Sequence, residues 1–473
     1  MKLSPYPKYR DPEWVNLENL PSHWDLLRNK YLFRISKEIV GKQADKYTLL
    51  SLTLKGIIPR DLDNPTGKFP AEFDSYQKVF PGDLVFCLFD IDETPRTVGF
   101  SKKNGMITGA YTVVRCFSWM NPEYLYFYYL FLDTHKGLRP FYTGLRKVIK
   151  TEVFLGLKTP VPPKEEQDQI VRFLNMKFTQ IAKFIRNKRR LIKLFKEQKQ
   201  ALINQAVIRG IGPNAKIKPS GIDWLGDIPE HWDVTRLKFA FKKNIGGVWG
   251  TDQKNDEHDV VCVRVADFNY DFQCVRPANL TIRNINDSEL AGRELSRNDI
   301  ILEKSGGGKK TPVGRAVLYN LEYKAVCSNF TNKLEVESNR FDVMYLTLVL
   351  YSMYANGLTV FSIKQTTGIQ NLDINNYFCN LIPLPPRKEQ TYINETILKI
   401  TKSSDDYIKR INKEIDLIKE FRSRLISDVV TGKLDVRNIN VDNISDEEII
   451  DGLSINEETQ DLNNSIKEVS NEY

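Results

Sequence analysis

The residues best suited to chemistry are a glycine run flanked by cations, Lys304-Ser305-Gly306-Gly307-Gly308-Lys309-Lys310-Thr311. Glycines let backbone N–H groups approach a phosphate closely, and lysines add charge. The run lacks the G-x-x-x-x-G-K-T spacing of a nucleotide-binding loop, so nucleotide specificity is not expected. It can hold a nucleic-acid phosphate, or it can be a solvated surface hairpin. Further on, Lys364-Gln365-Thr366 and Gln370-Asn371 flank a Thr-Gly turn, while Arg315 is a cation just past the glycine run. Gln and Asn suit adenine edges. An earlier turn of the same kind carries Arg146, Lys147 and Lys150, and Arg or Lys suits guanine edges. All these positions are candidates for DNA contact. The alternative is that they only orient the turns.

Other chemistry finds little support. The six cysteines never form C-x-x-C and there are four histidines, so neither a zinc site nor a disulfide framework is expected. Free cysteines in strand-like runs fit a reducing cytoplasm. His23 and His231 invite a metal reading, but no acidic or cysteine partners converge locally to complete a ligand set. Asn121-Pro122-Glu123-Tyr124 and Asp11-Pro12-Glu13-Trp14 approach the N-P-P-Y pattern of amino-methyltransferases. Both lack the second proline, and no Gly-rich cofactor loop follows a strand upstream. No Ser/His/Asp set or nuclease carboxylate cluster stands out. No catalytic residue, metal site or bound cofactor is expected.

The elements that position these residues are two long helices. One opens Pro162-Pro163-Lys164-Glu165-Glu166-Gln167 and closes Val207-Ile208-Arg209-Gly210. The other opens Pro385-Pro386-Arg387-Lys388-Glu389-Gln390 and closes Val429-Val430-Thr431-Gly432. Paired prolines force an extended approach, and first-turn glutamates suit the helix dipole. Leu174, Ile181, Phe195 and Leu202 recur at sevens in the first. Ile397, Ile400, Ile408, Ile411, Ile415, Ile418, Leu425 and Val429 make a similar seam in the second. Such a stripe predicts coiled-coil helices of roughly 65 Å at 1.5 Å per residue.

The flanks are duplicated too. Leu20-Pro21-Ser22-His23-Trp24 matches Ile228-Pro229-Glu230-His231-Trp232, and Glu13-Trp14-Val15 matches Asp223-Trp224-Leu225. Thr143-Gly144 and Thr367-Gly368 mark matching turns before the proline pairs. Between the markers lie domain-sized segments with strand-like runs and one apolar helix each, 124–132 and 345–354. The division expected is a leader 1–19, recognition domains 20–162 and 228–385, spacer helices 163–210 and 386–432, a linker 211–227 and an acidic disordered tail 433–473. Within that tail, Ser445 and Glu448 make a capping box for one short helix.

A chain of 473 residues exceeds a single core. It has no run of eighteen apolar residues and no signal-peptide apolar region in its first ten, so a cytoplasmic protein is expected. Residues 442–473 hold ten acids against Lys467, while the rest holds 67 bases against 50 acids. A basic body suits a polyanion. The strongest cluster is residues 183–199, with Lys183, Arg186, Lys188, Arg189, Arg190, Lys193, Lys196 and Lys199 against Glu197 alone. Little intrahelical pairing is available, so an anionic partner, DNA backbone or acidic protein, is expected for Lys183, Arg186, Arg189, Arg190 and Lys193.

Taken together, the paired H-W approach segments, the paired P-P helix starts and the Thr-Gly turns resemble the specificity (S) subunit of type I restriction–modification systems. The resemblance spans Trp14 to Gly432 and omits the acidic tail. It implies an α+β chain with two mixed α/β target recognition domains, two long antiparallel coiled-coil helices and an internal pseudo-two-fold repeat. It further implies that each domain reads one half of a bipartite site in double-stranded DNA. The helices would dock two methyltransferase (M) subunits and, through them, restriction (R) subunits. S-adenosylmethionine, ATP and magnesium would belong to those partners. Two other readings are a related type II enzyme with a fused methyltransferase–nuclease partner, and a coiled-coil adaptor without a DNA role.

Overall fold

Two helices carry the architecture of the computed structural model, which describes residues 4–60, 72–91, 93–145, 147–212, 215–308 and 311–441. Pro122–Thr134 is α1, Lys164–Arg209 is α2, Val343–Ala355 is α3 and Arg387–Val430 is α4. The chain divides into two compact units. The first takes the described residues up to Arg190 together with residues 411–441, and the second takes Leu191–Arg410. Each therefore holds one end of α2 and the opposite end of α4.

In the first unit a four-stranded antiparallel sheet is built from β1 (Phe33–Ser36), β2 (Leu84–Phe86), β3 (Val98–Phe100) and β4 (Thr112–Cys116), in the order β1-β4-β2-β3. Apolar runs such as Leu84-Val85-Phe86 are wholly buried, as fits a strand covered on both faces. α1 contributes Tyr124, Leu125, Phe127, Tyr128 and Tyr129 to the core. It starts where Asn121 Oδ1 accepts from the backbone N–H groups of Glu123 and Tyr124, with Pro122 at the first helical position. The Asn-Pro-Glu-Tyr run is thus a helix cap.

The second unit contains β5 (Phe241–Gly246), β6 (Ile300–Glu303), β7 (Ser305–Gly306), β8 (Ala316–Leu318), β9 (Thr331–Val336), β10 (Ile363–Thr367) and β11 (Ile369–Leu372). Its main sheet begins in the order β5-β9-β6-β8 and gains two short strands, Cys274–Val275 and Phe268–Asn269. The four-strand order is the one found in the first unit. The matching sharp turns enter β2 and β6: Asp83 accepts from Phe80 N at 2.9 Å, and Asp299 from Ser296 N at 2.6 Å. Asp342 caps α3 as Asn121 caps α1.

Both units anchor their helix starts alike. Asp25–Arg28 pairs with Lys158–Val161, and Asp233–Arg236 with Leu381–Leu384, which brings each tryptophan beside the proline pair of its own unit. The helices end at Gly210 and Gly432, with φ of +71° and +77°. Glycine is the residue that adopts this left-handed turn after a helix without strain.

The expected seam is mostly buried, but Ile400 is exposed. Part of the expected linker is a strand: Ile217–Pro219 pairs with Asp227–Pro229. Nor is the start of the expected tail loose. Val436 is buried, and Gln169 Nε2 donates to the carbonyls of Val436 and Ile439 at 3.1 and 2.7 Å. The capping box at Ser445 and Glu448 lies outside the described residues.

Candidate nucleic-acid interface

Six of the predicted contact residues of the second unit, Ser305, Lys364, Gln365, Thr366, Gln370 and Asn371, lie on one small sheet. β7, β11 and β10 lie side by side, with Ser305 opposite Asn371 and Asn371 opposite Lys364. Side chains alternate across a strand, so these three share a face. Ser305 Oγ donates to Asn371 Oδ1 at 2.6 Å. Asn371, Lys364 and Gln365 are exposed, and Thr366 lies in β10. Lys364 Nζ stands 2.6 Å from Asp373 Oδ2 and holds that carboxyl below the usual carboxylate range, helped by the N–H of Asn376.

Gln370 points the other way. It is buried, and its Oε1 accepts from the N–H of Val313 at 3.1 Å. A side chain committed to the backbone orients the loop. Its amide oxygen is therefore not available to accept from a base. Arg315 is likewise engaged, its Nε 3.2 Å from Oε2 of Glu303, whose carboxyl burial pushes up.

The glycine run is a tight turn. A Cβ on Gly307, at φ +66°, would lie 2.6 Å from Val313 N, so only glycine fits. Gly308 N donates to Thr311 O at 2.9 Å, which removes that amide from phosphate binding. Lys304 is half-buried and tied through its backbone to Phe330 and Leu372. Lys309 and Lys310 lie outside the described residues.

In the first unit the corresponding turn is closed by Thr143 and Val148, bonded N–H to C=O both ways at 3.1 Å. Ile149 N donates to Leu88 O, as Leu372 N does to Lys304 O in the second unit. Lys147 sits at φ +47° within the turn, Leu145 is fully exposed, and exposed Lys150 precedes the short helix Thr151–Gly156. Arg146 lies outside the described residues.

The expectation of unpaired bases along 183–199 needs correction. Lys188 Nζ is 2.6 Å from Glu414, Lys196 is 2.8 Å from Asp271, and buried Lys199 is 3.0 Å from Asp405. Their acids come from other elements, which the local sequence could not reveal. Lys183, Arg186, Arg190 and Lys193 are exposed, with Lys193 3.7 Å from Glu197, and Arg189 is half-buried.

Two residues that sequence reasoning undervalued hold each unit together. Glu166 receives the Tyr6 hydroxyl at 2.6 Å, the Trp24 indole at 3.0 Å and His23 Nε2 at 2.8 Å. Gln167 accepts from Asn121 N at 2.7 Å and donates to Pro162 O. In the second unit Glu389 holds His231 and Trp232 at 2.8 and 3.0 Å, while Gln390 accepts from Asp342 N at 2.7 Å. So the histidines do have acidic partners, from 143 and 158 positions away, and the Glu-Gln pairs are clamps. Burial raises the pKa of Tyr6, and Glu166 adds to it. No group of three metal-ligating side chains gathers among the described residues, and no described helix is long and apolar enough to cross a membrane.

No family model matches the chain. It is 24% identical over 302 residues to the type I restriction enzyme MjaVIII specificity subunit of Methanocaldococcus jannaschii, covering 63% of this chain and 67% of that one. By sequence, the chain is similar to type I restriction enzyme specificity subunits. It is also 24% identical over 287 residues to a second protein of that organism, the putative type I restriction enzyme MjaX specificity subunit, covering 59% and 60%. A solved chain from a study of assembly and conformational transition in a type I R-M system superposes with a TM-score of 0.54 at 14% identity. That superposition covers 87% of this chain and 98% of that one, a likeness of fold.

Proposed function

We propose that the chain is the sequence-specific, non-catalytic DNA-binding subunit of a type I restriction–modification enzyme. Each unit is a target recognition domain for one half of a bipartite site. The observation that carries this reading is shared construction with unlike tips. Both units have the same four-strand order and the same link from sheet to turn, yet one turn presents Lys147 and the other Asn371 beside Lys364. A common frame with different side chains at its turn is what two readers of different sequences need.

On this reading α2 and α4, 46 and 44 residues long, form an antiparallel coiled-coil spacer related by a pseudo-two-fold repeat. They fix the interval between half-sites. Exposed Phe184, Leu191 and Leu194 on α2 and Leu417 and Phe421 on α4 offer apolar surface to two methyltransferase subunits, and restriction subunits join through those. Exposed Lys183, Arg186, Arg190 and Lys193 face acidic protein or DNA backbone. S-adenosylmethionine, ATP and magnesium reside on the partners, in a cytoplasmic assembly.

Genome-wide methylation mapping with and without this gene tests the reading. A two-part motif should vanish without the gene, and substitutions in β10 and β11 should alter only one of its halves. A methylation pattern indifferent to the gene would overturn the proposal.

A further inference from the structure

A cavity of about 450 Å³ lies in the first unit, bounded by strand Gly56–Pro59, β3, α1 and the last part of α4. One wall is apolar, formed by Ile57, Pro59, Phe100, Tyr126 and Leu130. The other is cationic, with Arg96, Lys102, Lys103, Lys419 and Arg422, and none of the lining residues is acidic.

Some of these cations already have partners. Arg96 is 3.3 Å from Asp133, and Lys419 is 3.2 Å from Asp416. Arg422 has no such neighbour. It is 9% exposed, its Nε has no hydrogen-bond partner, and among the described residues it makes no ion pair. The face of Phe178 lies 4.6 Å away. Burial lowers its pKa, and the charge of Arg96 adds to that. A buried guanidinium without a counter-charge is strongly unfavourable unless an anion joins it.

The second unit supplies a control for this position. Thirty-two residues past Gln167 stands Lys199, and thirty-two past Gln390 stands Arg422. Lys199 is also buried, but the carboxylate of Asp405 closes on its Nζ at 3.0 and 3.1 Å. Asp405 is fifteen residues past Gln390; fifteen past Gln167 stands Ala182, buried and uncharged. One unit brings its own counter-ion. The other has an alanine and a cation-lined cavity.

We propose that this cavity binds a small phosphate ester, and that a nucleoside phosphate is the ligand class that fits it. Several cations converging with a buried arginine fork suit the spread charge of a phosphate better than a single carboxylate. The volume lies in the range of small-ligand sites. An inorganic anion alone would leave the apolar wall uncovered, whereas a flat base covers it.

Thermal unfolding of the purified full chain provides the test, with adenosine monophosphate, inorganic phosphate, adenosine and random-sequence duplex DNA as probes. The nucleotide should raise the midpoint saturably, at concentrations at least tenfold below those phosphate needs, and adenosine should not. Arg422→Gln should abolish the shift. Because that variant can fail to fold, Ala182→Asp is the companion: it keeps Arg422 and supplies the carboxylate found in the other unit. It should raise the midpoint without ligand and weaken the nucleotide response at least tenfold. An unchanged response in Ala182→Asp, equal potency of phosphate and nucleotide, or displacement of the nucleotide by duplex DNA would each overturn the proposal.

Discussion

The indole N–H of Trp232 donates to Glu389 at 3.0 Å across 157 positions of sequence, as that of Trp24 donates to Glu166 across 142. The two clamps are not equally sealed. Glu166 is buried and also holds the Tyr6 hydroxyl, whereas Glu389 keeps about a quarter of its side chain exposed. Glu166→Ala strands two buried donors, each worth about 1–3 kcal/mol when left unpaired. The expected loss is about 2–4 kcal/mol, with a smaller loss for Glu389→Ala because water can replace the carboxylate. Urea denaturation of both variants checks this; equal losses would contradict it.

Lys199 and Lys183 belong to one basic run, yet their substitution should differ sharply. Lys199→Met leaves Asp405 half-sealed without its cation, which costs about 3–5 kcal/mol for a buried pair. Lys183 is exposed, so Lys183→Met should stay within about 0.5 kcal/mol. Denaturation midpoints separate the two. A neutral Lys199→Met would mean that Asp405 finds another partner or is readily hydrated.

That contrast shows where the sequence was readable. Helix lengths, proline starts and glycine ends follow from local rules, and α2 and α4 lie within two residues of their expected bounds. The turn before each helix was visible because Thr-Gly recurs. What the sequence hid were partnerships closing over more than fifty positions, such as Lys199 with Asp271 and Glu166 with His23. First-turn glutamates satisfy a helix dipole and a distant indole equally well in one dimension, so residue type alone does not reveal the clamp. A signal did exist. Glu-Gln and His-Trp are repeated together, and dipole preference alone does not explain why Gln accompanies Glu both times.

Acid should open the clasp between Lys364 and Asp373. Asp373 titrates below its ordinary value of 3.8 because Lys364 and the N–H of Asn376 bond its charged form. With the folded value lowered, the contribution is full above the ordinary range and lost as pH falls through the lowered one. Carboxyl NMR of Asp373 should give a midpoint below 3.8, and Lys364→Met should move it upward toward that value. A midpoint unmoved by the substitution would remove Lys364 as the cause.

Adjacent residues on β11 should fail in different ways. Asn371 is exposed between Ser305 and Lys364, while Gln370 is buried against Val313 N. If this face reads bases, Asn371→Ala relaxes preference at one position of one half-site, by about 1–3 kcal/mol of discrimination. Gln370→Ala instead removes a backbone partner and costs about 1–3 kcal/mol of stability, leaving base preference intact. Binding selections from random DNA, run with the methyltransferase partner and paired with thermal unfolding, measure both quantities. Altered preference in Gln370→Ala with unchanged Asn371→Ala would reverse the roles, and would require the loop around Val313 to rearrange on DNA.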